Sequence, residues 1–108
     1  MLVIDGNNIH LTRGDSAELS LEVTDQEGQP YTPKQGDEFI FSVKNNDLVV
    51  PYELTKKFNS ELEISITSEE SSKFNFGVYL FDIKLVNNGV VDTFIVGNLI
   101  IEEGTNNE

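Results

Sequence analysis

A chain of 108 residues gives one domain with a single modest core. Hydrophobic residues make up 38%, with seven Phe and three Tyr but no Trp, as in a folded protein, and the lack of cysteine excludes disulfides, thiolate metal sites and cysteine nucleophiles. Nineteen acidic residues against seven basic ones leave a net charge of −12, which opposes binding to a polyphosphate backbone. The basic residues Arg13, Lys34, Lys44, Lys56, Lys57, Lys73 and Lys84 are scattered, so nucleic acid is not an expected partner.

In chain order, Met1-Leu2-Val3-Ile4-Asp5 lacks the basic lead and long apolar core of a secretory leader, and no apolar run approaches the roughly 20 residues that span a bilayer. Neither a signal peptide nor membrane insertion is expected. His10 alternates with Ile9 and Leu11, which points it outward from an early strand. Arg13-Gly14-Asp15 reads as a tight turn ahead of a half-buried strand, in which Ala17, Leu19, Leu21 and Val23 alternate with Glu18, Ser20, Glu22 and Thr24. Asp25-Gln26-Glu27-Gly28-Gln29-Pro30 breaks that strand. Phe39, Phe41 and Val43 line one face of the next strand, and Pro51 makes residues 48–58 an edge strand or a bulge.

Alternation returns in Leu62, Ile64 and Ile66. Thr67 and Glu70 then have capping-box spacing, which predicts one short helical turn over 67–74. After Gly77, Tyr79, Phe81, Ile83 and Leu85 form the inner side of the longest strand, and apolar Val78 and Leu80 on the other side predict cover on both faces of its start. Asn87-Asn88-Gly89 is a hairpin turn, because Asn and Gly accept the positive φ that tight β-turns need. The return strand presents either Val91, Thr93 and Ile95 or Val90, Phe94 and Val96 inward, is interrupted at Gly97, and resumes to Glu102. Residues 103–108 read as a frayed polar tail, which leaves a core of about 9–102 in one domain, 1–108. About seven antiparallel strands with turn signals every eight to twelve residues or so predict an all-β, two-sheet sandwich or, less often, a small barrel.

No catalytic constellation emerges. His10 is the only histidine and has no serine or cysteine partner at a recognisable position. Glu61, Glu63, Glu69 and Glu70 form the densest acidic region, with Glu102 and Glu103 a smaller one. Glu61 and Glu63 fall on the solvent face of a strand, and no Asp-x-Asp-x-Asp-Gly loop gathers oxygens for a cation. Neither a metal nor a cofactor is expected, and the chain reads as a non-enzyme. Phe39, Phe41, Tyr79 and Phe81 read as core, whereas Tyr52, Phe58 and Phe94 are candidates for a subunit interface.

Leu11-Thr12-Arg13-Gly14-Asp15-Ser16 leads into the first long strand and then Asp25-Gln26-Glu27-Gly28-Gln29-Pro30-Tyr31. Gly77-Val78-Tyr79-Leu80-Phe81-Asp82-Ile83-Lys84-Leu85 precedes Gly89-Val90-Val91-Asp92-Thr93-Phe94 and Gly97-Asn98-Leu99-Ile100-Ile101. Together, over residues 9 to about 102, these stretches resemble the N-terminal immunoglobulin-like domain of upper baseplate proteins in tailed phages of Gram-positive bacteria. The resemblance implies an immunoglobulin-like β-sandwich acting as a structural adaptor that binds other tail or baseplate proteins, in the virion or in the host cytoplasm during assembly. A homo-oligomer is a further candidate assembly. The resemblance makes Arg13, Gly14 and Asp15 the turn that opens the sandwich, and Gly77, Tyr79, Asp82 and Gly97 scaffold positions. The alternative class is a carbohydrate-binding module for host-wall sugars, which needs Tyr31, Tyr52 and Phe58 as exposed rings.

Overall fold

The computed structural model describes residues 2–5, 7–24, 27–44 and 53–103, with side chains from residue 7 onward. Among them are eight strands and one helix: β1 (Leu2–Asp5), β2 (Asn8–Thr12), β3 (Ala17–Ser20), β4 (Glu38–Lys44), β5 (Glu53–Lys57), β6 (Glu63–Ile66), α1 (Ser68–Ser72), β7 (Gly77–Asn87) and β8 (Val90–Glu102). The protein is all-β. A six-stranded sheet in the order β1-β2-β8-β7-β4-β5 is accompanied by a two-stranded sheet, β3-β6.

The alternating sequence makes the core. In β4, Phe39, Phe41 and Val43 are buried while Glu38 and Lys44 are exposed. Their cross-strand partners Leu85, Ile83 and Phe81 follow the same alternation in β7. Ala17 and Leu19 from β3 and Ile64 and Ile66 from β6 close this layer, packing into one cluster with Ile9, Leu11, Phe41, Val43, Phe81, Leu99 and Ile101. Burying a side chain as fully as Phe41, Leu11 or Leu99 contributes about 1.5–3 kcal/mol each.

Four sequence expectations change. The large sheet is mixed, because β2 runs parallel to β8, with His10 opposite Ile100. Only neighbours joined by a tight hairpin must be antiparallel, and these two strands come from opposite ends of the chain. The Ala17–Val23 alternation forms a ladder only as far as Ser20, because Leu62, which was expected to lead β6, turns the chain at φ 60 and ends the pairing at Ser20 opposite Glu63. Beyond that point Leu21 still donates its N–H to the Leu62 carbonyl at 2.8 Å.

Gly97 does not interrupt β8, which is continuous; the irregularity is a bulge where Ile83 faces Ile95 but Lys84 faces Thr93, leaving Phe94 as the extra residue. Both inward registers read from the sequence are therefore partly used. Finally, Val78 and Leu80 are not covered: within this chain they are 66% and 47% exposed. Among the described residues the second sheet has two strands, and it packs on the opposite face of the large one.

Candidate interaction surface

The Arg13-Gly14-Asp15 turn is fixed by the helix. Gly14 has φ 89, and the Asp15 N–H donates to the Thr12 carbonyl at 3.1 Å. The buried Ser71 hydroxyl accepts from the Gly14 N–H at 3.0 Å and donates to the Asp15 carbonyl at 2.7 Å. Arg13 Nε donates to the Phe74 carbonyl at 2.9 Å, and its guanidinium lies 5.7 Å from the Phe76 ring centroid. Arg13 is therefore occupied in tying the turn to the end of α1.

α1 begins with the expected capping box: Glu70 N–H donates to Thr67 Oγ1 at 3.0 Å and Thr67 N–H donates to the Glu70 carboxylate at 2.9 Å. Lys56 Nζ donates to the same carboxylate at 2.8 Å. Partial burial works against the charge on Glu70, but the Lys56 ammonium and the Thr67 N–H outweigh it and hold this carboxyl below the usual range. Glu61, Glu63 and Glu69 are exposed. Among the described residues no group of three His, Cys, Asp or Glu side chains is arranged to hold a metal ion. His10 projects from the outer face of β2, with Nδ1 3.2 Å from Glu102.

The interface candidates divide. Tyr52 lies outside the described residues. Phe58 is half-buried and packs against the core at a 140 Å³ inter-sheet cavity that Leu19, Phe41, Phe81 and Ile95 also line. Phe94, 36% exposed, meets Phe39 edge-on at 5.9 Å between centroids. Tyr31 approaches Phe39 from another side at 6.2 Å and donates its hydroxyl to Asp37. Asp37 also accepts from Asn87 Nδ2 and from the Lys34 N–H. The Tyr31 and Asn87 hydrogen bonds hold the Asp37 carboxyl low, and the same contact with Asp37 raises the Tyr31 phenol.

Of the scaffold positions, Gly77 opens β7 at φ 143 and Tyr79 is buried, donating its hydroxyl to the Asn75 carbonyl at 2.9 Å. Gly97 lies directly under Asn7, where an added Cβ would come within 1.9 Å of the Asn7 carbonyl oxygen. Asp82 belongs to the outer face of the large sheet, with Lys84 Nζ 3.6 Å away.

That outer face is the feature the sequence misassigned. Val78 lies opposite Ile100, Leu80 opposite Asn98, and Asp82 opposite Val96. Val78, Leu80 and Val96 (60% exposed) therefore form a contiguous apolar patch with half-buried Ile100. The signal was visible as apolar residues at both parities of one strand, a pattern that also fits a strand buried on both sides. No helix among the described residues is long and apolar enough to cross a membrane. Neither a protein-family profile, nor a curated protein, nor a solved structure matches this chain.

Proposed function

We propose that this chain is a non-enzymatic, immunoglobulin-like assembly domain of a phage or prophage tail or baseplate, joined to other virion subunits through the outer face of its large sheet. The immunoglobulin-like reading is supported by strand order. The sequence β8-β7-β4-β5 follows the G-F-C-C′ order of that fold, and β3 beside β6 follows its B-E pair. Tyr79, near the start of β7, bonds back to the Asn75 carbonyl as the tyrosine corner of such domains does. Leu19, Phe41 and Phe81 pack where immunoglobulins hold a disulfide against a tryptophan; the two Phe rings are 5.5 Å apart.

The observation that carries the assembly role is the exposed apolar patch of Val78, Leu80 and Val96 on a sheet face that no second layer covers among the described residues. Exposed contiguous apolar surface on a highly charged protein marks an interaction site. The carbohydrate alternative loses support because Phe58 packs on the core and the Tyr31 hydroxyl is bound to Asp37. The test is co-purification with the structural proteins encoded beside this chain. Binding that is lost in Leu80→Glu supports the proposal. A neighbourhood without tail genes, together with no binding by the unaltered chain, overturns it.

A further inference from the structure

Building on the assembly reading, we infer that the partner on the outer face of the large sheet is a second copy of this chain, packed face to face. The argument rests on charge and on area. A molecule carrying −12 repels its own copy almost everywhere. The outer side of the small sheet shows the problem: β3 and β6 present Glu18 and Glu63 there and contain no basic residue.

The outer face of the large sheet is different. Among the described side chains it carries three lysines, Lys44, Lys57 and Lys84, against four carboxylates, Glu38, Glu53, Asp82 and Glu102. Four of these charges are already matched within the face: Lys57 contacts Glu38, and Lys84 lies 3.6 Å from Asp82. The face is thus close to neutral while the acid excess lies elsewhere. A second copy can approach here without the repulsion it meets on the small sheet, and its own patch supplies the apolar surface that Val78, Leu80 and Val96 lack.

The area is also close to what a stable pair needs. Five strands from β2 to β5 at about 4.8 Å, and the nine residues Val78–Val86 at about 3.3 Å each, give a face of about 24 by 30 Å, or about 700 Å². Each partner in a standard stable interface buries about 800 Å². Stacking two such faces would place the sheets about 10 Å apart and cover the patch from both sides. A twofold contact is self-complementary and closes at two copies.

Sedimentation equilibrium of the whole chain at about 0.15 M NaCl tests this. At about 50 µM the unaltered protein should weigh twice 12.1 kDa. The double variant Leu80→Glu/Val96→Glu should be monomeric, with self-affinity reduced at least about 100-fold. Circular dichroism should be unchanged, because both positions are exposed, and the melting temperature should fall only by the stabilisation that dimerisation gives, the two proteins converging on dilution. Glu63→Lys, on the small sheet, should remain a dimer. A single-chain mass up to about 500 µM overturns the inference, and so does a dimer that persists in the double variant. The assembly reading is judged separately by capture of purified neighbouring virion proteins. If the unaltered chain is a monomer and the double variant loses capture, only the self-partner is wrong. If the chain dimerises through this face but captures none, only the virion reading fails.

Discussion

Ser71 shows how much one small side chain can hold. Its hydroxyl joins the turn before β3 to α1 through Gly14, Asp15 and Ser68, at 3.0, 2.7 and 3.2 Å. Ser71→Ala leaves the part-buried Gly14 N–H and Asp15 carbonyl without their shared partner and should cost about 1–2 kcal/mol in urea denaturation. Ser72→Ala, which removes only an outward bond to the Glu69 carbonyl, should cost less than about 0.5 kcal/mol. Asp37 carries the clearest pH dependence. Its folded carboxyl is held low by Tyr31, Asn87 and the Lys34 N–H. The folded state therefore binds fewer protons than the unfolded chain in the acid range. The stability it contributes is fully present above the ordinary carboxylate pKa of about 4 and is lost as pH falls through the lowered value. In denaturation series the stability advantage of the unaltered chain over Asp37→Asn should hold from about pH 7 to pH 5 and then shrink as pH falls through about 4 and below. A constant difference would show that Asp37 acts by shape alone. Tyr31 adds the opposite limb: with its phenol raised, the contact weakens only as pH rises past about 10.

Among elements, the short-range features were legible and the long-range ones were not. The Asn88-Gly89 turn has φ 50 and 81, the paired positive values that the sequence Asn-Gly announces. The capping box and the core alternation of β4 and β7 are set by neighbours a few residues apart, so spacing alone reveals them. Gly97 is the contrary case. A glycine within a strand suggests a break, but here it makes room for a carbonyl from 90 residues earlier. Asn7 holds that carbonyl in place by donating Nδ2 to the Val96 carbonyl at 3.2 Å, and its carbonyl accepts from the Asn98 N–H at 3.1 Å. Gly97→Ala must displace both Asn7 and the Phe81 ring, whose edge would be 2.8 Å away. A loss of about 3 kcal/mol or more in chemical denaturation is expected, with β2 and β8 the first to lose hydrogen-exchange protection.

For the whole molecule, the long β7–β8 hairpin sets the shape. Thirteen residues of β8 at about 3.3 Å span about 43 Å, close to the 46 Å long axis. The net charge acts at this scale too. Self-repulsion opposes compaction, so the melting temperature should rise when NaCl is increased from about 10 mM to 0.3 M. A melting temperature that is flat or falls with salt would mean that local pairs such as Lys56 with Glu70 outweigh the overall field.

The candidate site divides along the same line. Phe58 and Phe94 could be named from the sequence because aromatics outside the alternating pattern stand out, but burial decided that Phe58 packs on the core and that Phe94 rests on Phe39. The sequence by itself determined the all-β class, the hairpin, the helix start and the inward faces of β4 and β7, because these follow from period, turn chemistry and spacing within a few residues. Only the tertiary structure decided that β2 runs parallel to β8, that Gly97 admits Asn7, and that Val78 and Leu80 face outward uncovered. Each of these depends on which distant segment lies alongside, and periodicity within one strand carries no information about its neighbour.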